Sequence, residues 1–131
     1  MLNSQKTGQE GFSLLECMIA MVITVIGVLA VEMLIVSSVR TETVASNAGI
    51  ANGLAKAKLE ELQALPATNP ARANGGSLTS NVTNYFDTSN PNFIRRWTLA
   101  AGSVGTQQVV VVVVPAAGVS APGVQLNTLI Q

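Results

Sequence analysis

Histidine is absent from this sequence of 131 residues, and aspartate, cysteine, tryptophan and tyrosine each occur once. Acid–base, nucleophilic and zinc chemistry usually depend on histidine, cysteine and paired carboxylates. We therefore expect no enzyme, no catalytic residue, no cofactor and no metal site. Because Cys17 has no second cysteine to pair with, the cysteine content does not indicate a redox compartment.

Strong net charge is also missing, because seven basic residues balance seven acidic ones. A neutral chain gives no electrostatic reason to expect nucleic acid or an anionic membrane surface as a partner. The adjacent Arg95 and Arg96 could touch DNA, but such a pair more often lies on a solvated strand edge. We therefore expect nucleic acid to be an unlikely partner.

What the sequence does contain is a long apolar run between residues 12 and 39, in which only Glu16 and Glu32 are charged. As a helix this run would measure roughly 42 Å at about 1.5 Å per residue, enough to cross a hydrocarbon layer of about 30 Å. The preceding residues 1–11 are polar, carry Lys6 and Glu10, and have no hydrophobic pattern. We predict a leader peptide over residues 1–11 and a transmembrane helix over residues 12–39.

Residues 40–65 continue the helix in an amphipathic form. One apolar stripe recurs at steps of three and four, and Lys58 interrupts it. The stripe consists of Val44, Ala48, Ala51, Ala55, Leu59 and Leu62, with Leu54 and Leu65 beside it. Pro66 should end the helix because proline lacks a backbone donor.

Residues 66–131 are predicted to form a loop and a small antiparallel β-sheet. Four segments rich in β-branched and aromatic residues are separated by short turns, which favours a meander. The predicted strands are Leu78–Phe86, Phe93–Ala100, Gln107–Val114 and Val124–Ile130. The six valines from Val109 to Val114 indicate a central strand with little solvent on either face. The fold class is therefore α+β, with a long helix packed on the sheet.

The boundary between the polar leader and the apolar helix reads GFSLLE, from Gly11 to Glu16. This motif in this setting resembles the cleavage and methylation signal of type IV prepilins and of the related pseudopilins of type II secretion. The resemblance implies cleavage by a prepilin peptidase between Gly11 and Phe12, followed by N-methylation of Phe12. It also implies that Glu16 pairs with the N-terminal amine of an adjacent subunit during assembly.

Within this class the details look most like a PilV-type minor pilin, including the segments ANGLAKAKLEELQALP and FIRRWTLA. Major pilins often carry a C-terminal disulfide-bounded loop, which a chain without cysteine after Cys17 cannot form. The resemblance implies other pilin or pseudopilin subunits and an inner-membrane assembly platform as partners, with membrane lipid around the helix before assembly. It places the N-terminus in the cytoplasm and residues 40–131 outside the bacterial inner membrane.

Several alternatives remain open from the residues alone. A minor pseudopilin of type II secretion would look similar, and a single-span anchor of a binding module would also contain the apolar run. A secretory signal would be cleaved after the apolar region, for which Ser46-Asn47-Ala48 is a candidate. Asp87, Ser89, Asn90 and Asn92 could offer oxygen ligands to calcium, although a cluster of this kind is usually only a turn.

Overall fold

The computed structural model describes residues 11–103 and 105–131. It contains one long helix, a short 3₁₀ turn over Pro70–Arg72 and a five-stranded sheet. The elements are α1 (Leu14–Ala64), β1 (Gly75–Gly76), β2 (Phe86–Asn90), β3 (Phe93–Ala101), β4 (Gln107–Pro115) and β5 (Val124–Ile130). Residues 1–10 of the predicted leader lie outside the described residues.

Two compact units divide the chain, the first ending at Val39 and the second running from Arg40 to Gln131. The described part of the first unit is the N-terminal half of α1 with the residues before it. The second unit combines the C-terminal half of α1 with the sheet and its loops. The finer division into leader, membrane helix, amphipathic helix and head stays a prediction from the sequence.

Local signals explain where α1 begins and ends. Ser13 caps the first turn, because its main-chain oxygen accepts from the N–H groups of Glu16 (3.0 Å) and Cys17 (3.2 Å). Its hydroxyl also accepts from the N–H of Glu16 at 3.2 Å. The helix ends at Ala64, two residues before Pro66, as predicted from the loss of a backbone donor.

The sheet confirms the predicted antiparallel meander. Strand β3 pairs with β4 over nine residues in register, and β4 pairs with β5 over seven. Strands β1 and β2 both pair with β3, on its other side. The valine strand β4 is therefore central, as predicted. Its two faces differ, because alternate valines are fully buried and the intervening ones are only half-buried.

The first predicted strand, Leu78–Phe86, is wrong. Most of this segment forms turns, and the strand β2 begins only at Phe86. The Ser77 hydroxyl accepts from the N–H groups of Thr79 (3.3 Å) and Ser80 (3.2 Å). Such local side-chain bonds compete with the ladder of a sheet, so a segment rich in serine, threonine and asparagine turns here despite its β-branched residues.

The core of the second unit lies between the C-terminal half of α1 and one face of the sheet. The predicted apolar stripe supplies the helix side, where Ala51, Ala55 and Leu62 are buried. The sheet side consists of Phe93, Trp97, Leu99, Val109, Val111, Val113 and Ile130. Burying each large side chain contributes about 1.5–3 kcal/mol. This packing confirms the predicted α+β, pilin-like arrangement of a long helix on an antiparallel sheet.

Candidate functional site

The predicted cleavage site lies in non-helical chain directly before α1. Gly11 and Phe12 are both exposed, and the phenyl side chain of Phe12 retains 80% of its accessible surface. A Cβ added to Gly11 would meet no atom within 4 Å, and its φ is not positive. The described fold therefore sets no steric requirement for glycine at this position.

Glu16 lies in the first turn of α1 and is its only acidic residue there. A carboxylate at this end of a helix is favoured by the helix dipole. The side chain is exposed in the single chain. Within lipid a carboxylate costs about 2.5–3.5 kcal/mol at the helix centre unless it meets water or a cation. Glu16 thus places an exposed carboxylate at the start of the apolar helix.

The apolar residues that follow are exposed along the whole first unit. All side chains from residue 12 to residue 39 are exposed, including those of isoleucine, leucine, valine and methionine. Helix α1 is long and apolar enough to cross a membrane. A continuous apolar surface of this length would be unfavourable in water, so the first unit fits an apolar environment such as a membrane.

In the second unit the Asp87 carboxylate is held by Arg95. The Nε and Nη2 atoms of Arg95 donate to the two carboxylate oxygens, each at 2.8 Å. The hydroxyl of Ser89 donates to the same carboxylate at 3.0 Å. Burial raises the pKa of Asp87, but the hydrogen bonds from Arg95 and Ser89 and the charge of Arg95 outweigh burial, so this pKa is lowered overall.

This pairing corrects the interpretation of Arg95 and Arg96 as a solvated strand edge. Strand β3 lies inside the sheet, and the Arg95 side chain is only 11% exposed. It also donates to the main-chain oxygen of Leu54 on α1 at 3.3 Å. Arg95 lies on the same strand face as Phe93 and Trp97, so it points toward the helix, whereas Arg96 donates to Asn81 at 2.7 Å.

The suggested calcium ligands do not converge on an open oxygen site. Asp87 is engaged by Arg95, and the side-chain oxygen of Asn90 accepts from the N–H of Asn92 at 2.9 Å. Within residues 11–103 and 105–131 no group of three or more histidine, cysteine, aspartate or glutamate side chains is placed to share a metal ion. The segment from Asp87 to Asn92 forms the end of β2 and the turn that leads into β3.

Comparison with known protein families gives a match at the N-terminal end of the chain. Residues 6–31 match the family described as the prokaryotic N-terminal methylation motif. The chain carries a prepilin-type signal. No curated protein and no solved structure matches the chain. The matched residues include Gly11, Phe12 and Glu16 and extend into the apolar half of α1.

The prepilin-type signal has direct consequences for the kind of protein. A signal of this type implies processing by prepilin peptidase, and the pilin-like proteins that carry it are structural, typically non-enzymatic and assemble with other pilins. The signal together with the membrane-length helix fits anchoring in a membrane. Type IV pilins and pseudopilins share this signal, so it defines the processed class that contains both.

Two basic residues, Arg72 and Lys58, have structural roles that were not predicted from the sequence. Arg72 is 3% exposed and donates to the main-chain oxygens of Leu65 (2.9 Å) and Gln131 (2.8 Å). It joins the end of α1 to the end of the sheet, and nothing in its loop sequence predicts this. Lys58 is 7% exposed and lies over the Trp97 ring. Because Lys58 interrupts the apolar stripe of α1, its position in the sequence was the one indication that its side chain could be buried.

Proposed function

We propose that this chain is a minor subunit of a type IV pilus, made as a precursor that prepilin peptidase cleaves between Gly11 and Phe12. The observation that carries the proposal is the position of this peptide bond. It lies in exposed, non-helical chain within a matched prepilin-type signal and directly before a membrane-length apolar helix. A peptidase needs access to an extended segment, and the bond is reached before α1 begins at Leu14.

Cleavage would give Phe12 a new α-amine, which the same enzyme methylates in this class. In the proposed filament the Glu16 carboxylate of one subunit pairs with the Phe12 amine of its neighbour. Such a pair neutralises a charge that is otherwise costly in an apolar setting. Removing residues 1–11 also removes the charges of Lys6 and Glu10, so that neighbouring helices can approach.

Assembly then exchanges one apolar environment for another. Before assembly, lipid surrounds the exposed apolar half of α1, with the N-terminus in the cytoplasm and the second unit outside the inner membrane. In the filament, other apolar helices replace the lipid, so the transfer has a low cost in exposed apolar surface. An assembly platform in the inner membrane would carry out this transfer.

A minor role is favoured over that of the bulk subunit by the cysteine content. Cys17 lies in the apolar half of α1, so residues 40–131 cannot form the disulfide-bounded loop that is common in major pilins. Sequence features of the PilV type favour a subunit that primes the filament, occupies its tip or adjusts its assembly. Mass spectrometry of sheared pili would test this role: a pilus subunit is found there in small amounts, and a pseudopilin is not.

Processing is tested by intact mass and N-terminal sequencing of the chain from its native membrane. We expect a mature chain that begins at methylated Phe12, and a Gly11→Ala variant that keeps its leader. Gly27→Ala is the matched control, because a Cβ at Gly27 also meets no atom within 4 Å. A native chain that still begins at Met1, or one that begins after Ala48, would contradict the proposal.

The role of Glu16 is tested separately from cleavage. We expect Glu16→Gln to be cleaved and methylated normally but to be depleted from sheared filaments, because the variant cannot neutralise an N-terminal amine. Glu32→Gln removes the other charge of the apolar half and should leave incorporation unchanged. Equal incorporation of both variants would show that the Glu16 carboxylate does not contribute to assembly.

A further inference from the structure

A pocket of about 460 Å³ lies in the second unit, between α1, the 3₁₀ turn and strand β3. It falls within the range of volumes typical of small-molecule sites. Its described lining residues are Lys58, Asn69, Pro70, Ala71, Asn84 and Trp97. None of these carries an acidic side chain, and Lys58 contributes a positive charge, so the lining favours a negatively charged occupant.

The first observation that points to an occupant is a buried donor without an acceptor. Trp97 is 5% exposed, and its indole Nε1–H is buried with no hydrogen-bond partner. It is the only such side-chain nitrogen or oxygen among residues 11–103 and 105–131. Buried polar groups nearly always have a partner, so an unpaired one calls for an explanation. An acceptor oxygen supplied by another molecule would satisfy this donor.

The second observation is a buried ammonium group on the same ring. The Nζ atom of Lys58 lies 4.0 Å from the centre of the Trp97 ring. It donates to Oε1 of Glu61 at 2.8 Å, and the Glu61 side chain is 53% exposed. An ammonium group has three N–H donors, so one bond to Glu61 leaves capacity for another acceptor. Lys58 and Trp97, which both line the pocket, therefore supply two neighbouring donors, of which the indole N–H lies behind the pocket surface.

Two asparagine residues also line the pocket, Asn69 and Asn84. Asn84 has φ of 71°, and no other non-glycine residue described here has a positive φ. Asparagine tolerates this conformation better than most residues, and Asn84 lines the pocket. The side-chain oxygen of Asn69 accepts from the N–H of Ala71 at 2.9 Å. The other polar atom of this side chain, Nδ2, is a hydrogen-bond donor.

We propose that this pocket binds a carboxylate group, held by the Lys58 ammonium and the Trp97 indole N–H. A carboxylate matches one cation and one neutral donor, because each of its two oxygens can accept one of the two hydrogen bonds. Glu61 occupies the ammonium until the ligand arrives and competes with it. Because the indole nitrogen is closed to solvent, binding must open the pocket wall slightly. The carboxylate comes either from an acidic side chain of a second copy of this chain or from a small free acid.

Trp97 is the only tryptophan in the chain, which gives this proposal a direct readout. The full chain in neutral detergent micelles should show one indole ¹H–¹⁵N resonance, and acetate is the probe. We expect a saturable downfield shift of this resonance with acetate and none with acetamide or with chloride at equal ionic strength. The readout is independent of the proposed pilus function, because it requires neither cleavage nor assembly.

Two variants test the assigned donors. Lys58→Met should weaken acetate binding about tenfold, which corresponds to the loss of one hydrogen bond to a charged group. Glu61→Gln removes the competitor without entering the pocket, so it should tighten binding, and it keeps the proposal testable if Lys58→Met does not fold. Glu60→Gln is the matched control, because Glu60 pairs with Lys56 on the exposed side of the helix.

The two possible sources of the carboxylate predict a different dependence of the indole resonance on protein concentration. If a second copy supplies it, the indole resonance shifts with increasing protein concentration in the absence of acetate, and acetate reverses the self-association. If the ligand is a free acid, the resonance without acetate is independent of protein concentration. An indole resonance that does not respond to acetate in the parent chain and in Glu61→Gln would overturn the proposal and indicate a buried water only.

Discussion

Replacing Asp87 by asparagine should destabilise the second unit by leaving Arg95 without its counter-charge. The Arg95 side chain is 11% exposed and that of Asp87 is 26% exposed, so solvent replaces the lost interaction poorly. Asparagine keeps the shape and one acceptor oxygen but places an amide NH₂ against the guanidinium. The change therefore removes one of two short charged hydrogen bonds and the ionic attraction.

The expected cost is about 2 kcal/mol in the free energy of unfolding. Hydrogen bonds to charged groups contribute about 1.5–3 kcal/mol each, and breaking a fully buried ion pair costs about 3–5 kcal/mol. Because Asp87 is partly exposed, we expect a cost near the lower of these two ranges. For a unit of this size, about 2 kcal/mol corresponds to a melting temperature roughly 10 °C lower.

The stabilisation by Asp87 should depend on pH in a definite direction. The folded-state pKa of Asp87 is lowered from its ordinary value of 3.8. A group with a lowered folded pKa stabilises fully above its unfolded pKa and loses that contribution as the pH falls through the folded pKa. The difference between the parent chain and Asp87→Asn should therefore be constant from about pH 5 to pH 7 and become smaller below about pH 4.

Thermal unfolding of the full chain in neutral detergent, followed by Trp97 fluorescence, measures this difference. Lys56→Gln is the control, because its pair with Glu60 spans 3.8 Å and both side chains are largely exposed. Its expected effect is within about 0.5 kcal/mol. A deficit for Asp87→Asn no larger than that of the control, or a deficit equal at pH 7 and pH 2, would refute the reasoning.

Two further pairs of substitutions test the packing of the second unit. Leu62→Ala should lower the free energy of unfolding by about 2–4 kcal/mol because Leu62 is 1% exposed, whereas Leu129→Ala, at a side chain 63% exposed, should cost less than about 1 kcal/mol in denaturant unfolding. Gly76→Ala should be far more destabilising than Gly118→Ala in the same assay. Both glycines have positive φ, but only at Gly76 would an added Cβ clash with the main-chain oxygen of Trp97. Equal losses within either pair would contradict the packing described here.

Sequence periodicity was sufficient wherever one physical requirement decided the structure. The apolar stripe from Ala51 to Leu62 could face only a core, and Pro66 could not continue the helix. Strands β3, β4 and β5 were predicted within about one residue, because their β-branched residues are bounded by turn residues. The prepilin-type signal was readable because motif and apolar run are contiguous in the chain.

Tertiary structure alone decided the features that depend on residues distant in sequence. Arg95 is internal because β2 and β4 pair with β3 on its two sides, and no local segment of the sequence predicts which strands pair. Lys58 is buried because Trp97, on another element, lies beneath its ammonium. Local periodicity in the sequence indicates which face of a helix or strand is apolar. The partner of a buried charge depends instead on how elements that are far apart along the chain pack together.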